Sequence, residues 1–396
     1  MIMNRRYLDR DDLFQIYMML MVACKAFGIN QGDKIYFTAF SIAMLFWGGS
    51  VFIHKWEKRI FLLFMILLSI TTVSYLFGKN VTPVIFFMTI MGSINVDKKR
   101  VLNILCKEWI LLFCINITLS FAGIKSMQMA YQYTETGMDG VAYGLGYGQK
   151  NQLAMACAIV ICAFIYLKYD TMRLYELAAV DAIIAVILGY AKSSTGYIIL
   201  LFVNFMVFLF KARFMSRFVK KMVLYMTPVV ALFSILMSAL YPYSDLMKEL
   251  DRLLTTRVRL GYYALRKVPF SLFGTFVDKI TLDNLYIAIY VRSGFIVYAA
   301  IVIVFWSTMK YLYSMNMKKE MIVWGGVILI GFCEGGVMNP YINIFALLIG
   351  CALETKFSKA KYKSKTMRNT NINFLHNKRV EQFIEIERER LDDGKK

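Results

Sequence analysis

Apolar runs of roughly 15–25 residues recur along the chain, and short basic knots interrupt them. The runs lack the strict alternation of strands, so they predict helices. Their lengths approach the ~20 residues needed to cross a bilayer core, and in lipid only helices and closed barrels satisfy their own backbone. Spans are predicted over roughly 13–30, 35–53, 60–78, 81–96, 101–121, 151–167, 175–191, 196–210, 222–241, 284–309, 320–334 and 340–353. The last two are short, so a re-entrant hairpin stands as an alternative reading there. The expected class is an all-α polytopic membrane protein with about 12 transmembrane helices over residues 1–355. A large external loop, 242–283, precedes the tenth span, and a basic cytoplasmic tail occupies 356–396. Within the loop, Arg257 to Leu265 reads as a short basic amphipathic helix, and Phe270 to Gly274 as the turn that brings it back.

Composition agrees with that pattern. Of 396 residues, 59 % are hydrophobic and only 18 % charged, which excludes a water-soluble fold. The formal net charge of +20 matters less than its placement. With the N-terminus inside, the knots Lys55/Lys58/Arg59, Lys98/Lys99/Arg100, Lys168/Arg173, Lys211 to Lys221 and Lys310 to Lys319 all become cytoplasmic, as the positive-inside rule requires. Both termini are then cytoplasmic and the first span is retained. The tail from Lys356 to Arg379 is basic and free of acidic residues, so anionic lipid headgroups are its expected partner. No nucleic-acid module surrounds these charges.

The candidate chemistry narrows quickly. The seven cysteines lie in or beside the spans without CxxC spacing, so they read as small packing residues, and no metal site or cofactor is expected. His54 and His376 both fall on predicted cytoplasmic segments, which removes histidine chemistry from the external face. Asp9-Arg10-Asp11 has the DxD form, but too few residues precede the membrane to build a nucleotide domain. These acids read as helix caps.

Four other places remain. Tyr143 to Asn151 alternates glycines and ends in Gln149-Lys150-Asn151 at the start of a span. It reads either as a phosphate seat at a helix N-terminus or as a flexible external turn. Lys192-Ser193-Ser194-Thr195-Gly196 opens another span and serves at least as an N-cap. Arg292 lies inside the tenth span, roughly 12 Å down at the helical rise. There it must face a wet cavity or a carboxylate such as Glu334, Asp181 or Glu108. Glu334, followed by two glycines and then Asn339-Pro340, is a candidate general base or a partner for the arginines; Asp283 and Asp278 are competitors, and Asp283 also reads as a cap of the tenth span.

The order of these elements resembles the C-terminal half of Wzy-type polysaccharide polymerases, which share a superfamily with O-antigen ligases. The resemblance rests on Arg257, Ala264-Leu265, Ser271 to Gly274, Leu282-Asp283-Asn284-Leu285-Tyr286 and Gly294. Gly146 to Asn151 is similar to the family's glycine…asparagine element, Ser193 to Gly196 to its serine-arginine-threonine-glycine element, and Glu334 with Asn339 to its late glutamate and asparagine. Two positions depart from the pattern. Gln149 and Lys150 stand where histidine-proline is common, and Ser194 stands where arginine is expected, so histidine-assisted chemistry is not implied.

The resemblance implies transfer of a growing glycan from polyprenyl diphosphate onto the next lipid-linked repeat unit, at the outer face of a bacterial cytoplasmic membrane. The product would be capsule, exopolysaccharide or O-antigen. It implies catalytic roles for Arg257, Glu334 and Asp283, and substrate contacts from Arg259, Arg292, Lys150, Asn151, Gln149, Lys192, Ser193, Asn284 and Tyr286. The expected partners are polyprenyl-diphosphate-linked oligosaccharides, with flippase and chain-length regulator proteins beside them. Arginine suits a leaving diphosphate because its planar fork makes bidentate, charge-assisted bonds. Two alternatives stand: a ligase to another acceptor, and a transporter or flippase of lipid-linked oligosaccharide using Arg292, Asp181 and Lys25 as a path. The transporter should carry an inverted repeat with matched broken helices, and the sequence has no such symmetry.

Overall fold

A computed structural model describes residues 8–134, 137–212, 216–268, 270–277 and 280–356. The tail readings, His376, Asp278 and Lys279 lie outside these residues. Among the described residues, thirteen α-helices and two strands, with three 3-10 turns between or after them, precede the final helical stretch. They are α1 (Arg10–Ala26), α2 (Lys34–Ile53), α3 (Lys58–Gly78), α4 (Thr82–Gly92), α5 (Lys98–Phe121), β1 (Met129–Thr134), β2 (Gly137–Tyr143), α6 (Lys150–Lys168), α7 (Leu174–Ala191), α8 (Ser194–Lys211), α9 (Ser216–Leu240), α10 (Asp245–Leu253), α11 (Arg257–Lys267), α12 (Leu285–Ser314) and α13 (Lys318–Cys333). The chain is helical again over 347–356.

Among the described residues, eight helices are long and apolar enough to cross a membrane: α2, α3, α5, α6, α7, α8, the α9 segment and α12. This is a helical membrane protein. The helices in the first, fourth and eleventh predicted spans are shorter than that, with 17, 11 and 16 residues.

Burial follows composition. The middle of α6 is rich in alanine and cysteine, small enough for neighbours to approach on every side, and Leu153 to Ala163 is buried throughout. Gly326 of α13 packs on Cys162. By contrast α2, α3 and α7 expose Leu, Ile, Val and Phe, as lipid-facing helices do.

The acidic N-terminal residues have structural work. Asp9 caps α1 by accepting from Asp12 N at 2.8 Å. Asp12 pairs with Arg100 at 2.9 Å, and Asp11 accepts from Asp97 N at 3.1 Å, which ties the start of α5 to the start of α1.

The connection between α5 and α6, for which the sequence predicts no strand, holds the antiparallel hairpin β1–β2, paired from Met129↔Tyr143 to Thr134↔Gly137. It marks one end of the bundle, the hairpin end. There α1, α3, α5, α7, α9 and α13 finish, and α2, α4, α6, α8 and α12 begin.

The tenth predicted span is not one rod. At Gly294, φ 84° and ψ 170° break α12 into two pieces. Ser271 to Thr275 inserts beside the break. Thr275 N donates to Val291 O at 3.0 Å, Phe295 N to Ser271 O at 2.9 Å, and Ile296 N to Leu272 O at 3.3 Å. Ser74 of α3 caps Ser293 O at 2.8 Å. Four backbone groups at the break, Val291 O, Ser293 O, Phe295 N and Ile296 N, therefore have partners, as buried backbone groups require. Beyond the break, Phe295 to Ser314 is by itself about 30 Å long at the helical rise, enough to cross a bilayer core. Before it, the chain turns aside. Phe305 packs on Trp324, yet Tyr286 reaches Ile328 O, so most of α12 from Tyr286 to Phe305 faces barely one turn of α13. The first piece crosses the hairpin end from α3, where Gly78 meets Arg292, to α13, where Gly331 meets Leu285. Arg292 thus stands level with the end of α3, not 12 Å down a straight span.

Candidate functional site

Two caps and one strained turn aim the charged groups. Asn284 caps α12, accepting from Tyr286 N at 3.0 Å and Ile287 N at 3.1 Å while its amide donates to Ser234 Oγ and Phe332 O. Asp283, one residue earlier, is left half-buried beside α13. Glu334 follows the last turn of α13 in extended conformation (φ −137°, ψ 119°) and is buried. On the third side, α10 and α11 join through Thr255 (φ 50°) and Thr256 (φ 68°), a left-handed pair that β-branched residues rarely adopt. Asp251 stabilises the turn by accepting from Arg259 N at 2.9 Å. Such strain collects at functional sites, and here it presents Arg257.

Arg257 is buried, and its partners come from separate elements. One Nη2 bond reaches Glu334 Oε1, and Nη1 donates to Leu254 O at 3.0 Å and to Thr255 Oγ1. Nε lies 3.8 Å from Asp283 Oδ2 and has no hydrogen-bond partner among the described residues. Asp283 Oδ2 also accepts from Asn151 Nδ2 at 3.3 Å. Breaking a buried pair of this kind by removing one member typically costs about 3–5 kcal/mol.

The carboxylates Glu334 and Asp283 form part of the wall of a cavity of about 480 Å³ at the hairpin end. Gln149, Asn151 and Gln152 of the α6 start contribute to it, with Arg292 from α12 and Asn339 beyond α13. Lys25, Asn30, Gln31, Asn80 and Thr82 complete the polar wall, and Trp109, Met155 and Ile342 are apolar surfaces within it. Lys25 donates to Ile29 O at 3.4 Å and sits over the Tyr36 ring at 4.3 Å, a cation–π contact.

The residues singled out from sequence sort by position. Arg257, Glu334 and Asp283 come together, although Arg257 stands behind Glu334 rather than on the cavity wall. Gln149, Asn151 and Arg292 are on the wall. Lys150 is within electrostatic reach of Arg257, Glu334 and Lys192. Arg259 is half-buried on α11 and off the wall. Asn284 is committed to its cap, and Tyr286 is buried with its hydroxyl on Ile328 O at 3.3 Å. Ser193 caps α8 through Gly196 N at 3.2 Å, and Lys192 ends α7 in left-handed conformation.

Arg257 does not bridge to Asp245 or Glu249, because those pair with Lys248 at 2.8 Å and Arg252 at 2.7 Å one helical turn away. Arg292 forms no ion pair with Glu334, Asp181 or Glu108 among the described residues; its Nη2 donates to Ile280 O at 3.0 Å. The glycines of the 143–151 element answer to packing: Gly146 has φ 80° and sits against Asn116 and Ser120, while Gly28 leaves room for its carbonyl. Lys25, alone in an apolar span, carried a signal through its cost in lipid. Asn80 and Thr82 carried none.

Compared with family models, with curated proteins and with solved structures, the chain has no match.

Proposed function

We propose that the protein is a metal-independent glycan polymerase that uses polyprenyl-diphosphate-linked oligosaccharides, with the hairpin end at the outer face of the membrane. The family is that of the Wzy-type polymerases. The single observation supporting this reading is the buried Arg257–Glu334 pair, with Asp283 beside it, on a polar cavity that also contains Arg292 and Lys25. Amide side chains on the wall suit sugar hydroxyls, and the two cations suit a diphosphate.

In the proposed reaction Glu334 takes the proton from the acceptor hydroxyl as that oxygen attacks the anomeric carbon of the donor. The bond to diphosphate breaks, and the electron pair leaves with the polyprenyl diphosphate. Protonation of Glu334 removes the charge that holds Arg257, so the guanidinium becomes available to the leaving group as its charge grows. Arg292 and Lys25 bind the same anion from the wall. Anchoring of both lipids in the membrane supplies much of the positioning. The flippase alternative gains less support. Asp181 interacts with Asn204 between α7 and α8 and is not part of the wall that contains Lys25 and Arg292.

The test is polymer length measured alongside protein abundance for Arg257→Ala and Arg257→Lys. Loss of one donor to developing negative charge costs about 2.7–4 kcal/mol of barrier, or 10²–10³ in rate. Long polymer should disappear from cells that still contain the Arg257→Ala protein, and lysine, lacking the planar fork, should not restore it. Normal polymer from an abundant Arg257→Ala protein would sink the assignment.

A further inference from the structure

A second cavity, of about 400 Å³, lies between the end of α3 and Phe276, Val277, Ile280 and Thr281. Lys79, Asn80, Phe276, Thr281 and Arg292 are among its lining residues. Arg292 and Asn80 also line the 480 Å³ cavity, so one guanidinium borders both spaces. Three features define what could enter. Phe276 of the lining is apolar and exposed, and α3 reaches the cavity through its last turn, where exposed Leu76 and Phe77 continue the Leu62, Ile66 and Val73 stripe of a membrane-crossing helix. Gly78 has no side chain because the Arg292 carbonyl would lie 1.6 Å from its Cβ, which holds Arg292 at the end of that helix. Membrane-crossing helices end near the depth of lipid phosphates. Finally, among the described residues Arg292 donates only to Ile280 O, through Nη2, and the other edge of the fork faces no such acceptor and suits an anion.

From these we infer that the cleft between the end of α3 and Phe276, Val277, Ile280 and Thr281 is the side entrance by which the phosphate of a polyprenyl-linked glycan reaches Arg292 from the bilayer. The inference rests on the proposed function. The acyl chain would lie along the α3 stripe, the diphosphate at Arg292 and Lys79, and the sugars beyond Arg292 among the amides Asn30, Gln31, Asn80, Gln149, Asn151 and Gln152. A phospholipid offers the same phosphate but no head large enough to occupy the 480 Å³ behind it.

The test uses the full chain in phosphatidylcholine nanodiscs, with a fluorescent polyprenyl diphosphate and, separately, fluorescent phosphatidylglycerol as probes. The polyprenyl diphosphate should bind more tightly than phosphatidylglycerol, and Arg292→Gln should weaken it about tenfold, as loss of a charge-assisted bond does. Because Arg292 is packed against Gly78, a second arm works on already folded protein. Thr281→Cys is treated with a bulky thiol reagent, which should weaken binding about tenfold relative to the same protein before treatment. Wild type treated in parallel corrects for the exposed native Cys114. Binding unchanged in both arms overturns the entrance, as does equal affinity for phosphatidylglycerol, and either result leaves the catalytic reading to stand on its own test. If the lipid binds through the cleft but wild type forms no longer glycan from a lipid-linked repeat unit, the function fails and the entrance holds.

Discussion

At the residue scale the charges explain one another. Asp245 and Glu249 lie in the same polar loop as Arg257, but neighbours three residues away on α10 take both of them. The Lys248 ammonium holds the Asp245 carboxyl below its usual range. Arg257 instead meets Glu334, 77 residues later in the chain. That each residue mattered was legible, because ionised groups beside apolar runs are costly and need a reason. That Glu334 could partner an arginine was legible as well, but that the arginine is Arg257 was not, since no local spacing links α11 to the end of α13. Glu334→Gln tests the pair: it keeps shape and one acceptor but removes the base. Polymer formation should fall by about 10²–10⁴, the usual contribution of a general base, while the protein stays inserted. Undiminished polymer would remove Glu334 from proton transfer.

At the element scale the decisive object is α12. Its apolar run predicts a continuous span, and hydropathy has no term for a break at Gly294. The break depends on what arrives from elsewhere: the amide of Thr275, the carbonyls of Ser271 and Leu272, and the hydroxyl of Ser74. Gly274 was legible as a turn, and its φ of 88° agrees, but its closeness to Arg292 O was not. A Cβ at Gly294 would lie 2.3 Å from Gly274 N in a backbone region nearly closed to other residues. Gly294→Ala should therefore lower the unfolding temperature and the yield of folded protein. Gly48→Ala, with nothing within 4 Å of its new carbon, should change neither. Equal behaviour of the two variants would contradict the break.

At the scale of the whole molecule, alternating apolar and basic segments made the membrane class and most helices legible. They did not reveal the β-hairpin, whose strands are short, nor the cavity, which takes residues from α1 to beyond α13. Orientation carries a direct check. Cysteines placed at Ser244 and Thr281 should react from outside the cell with an impermeant thiol reagent, and one at Ser358 should not. Labelling of Ser358→Cys from outside would reverse the orientation and put the cavity on the wrong side for a lipid-linked substrate.

The central claim, that this cavity lengthens glycans, is met most directly by reconstitution. Purified full-length protein in nanodiscs is supplied with a lipid-linked repeat unit, and the glycan length on lipid is measured together with released polyprenyl diphosphate. The account predicts a ladder of longer lipid-linked glycans, one polyprenyl diphosphate released per added unit, and loss of both with Glu334→Gln. Repeat units that remain single in the presence of folded wild-type protein would contradict it.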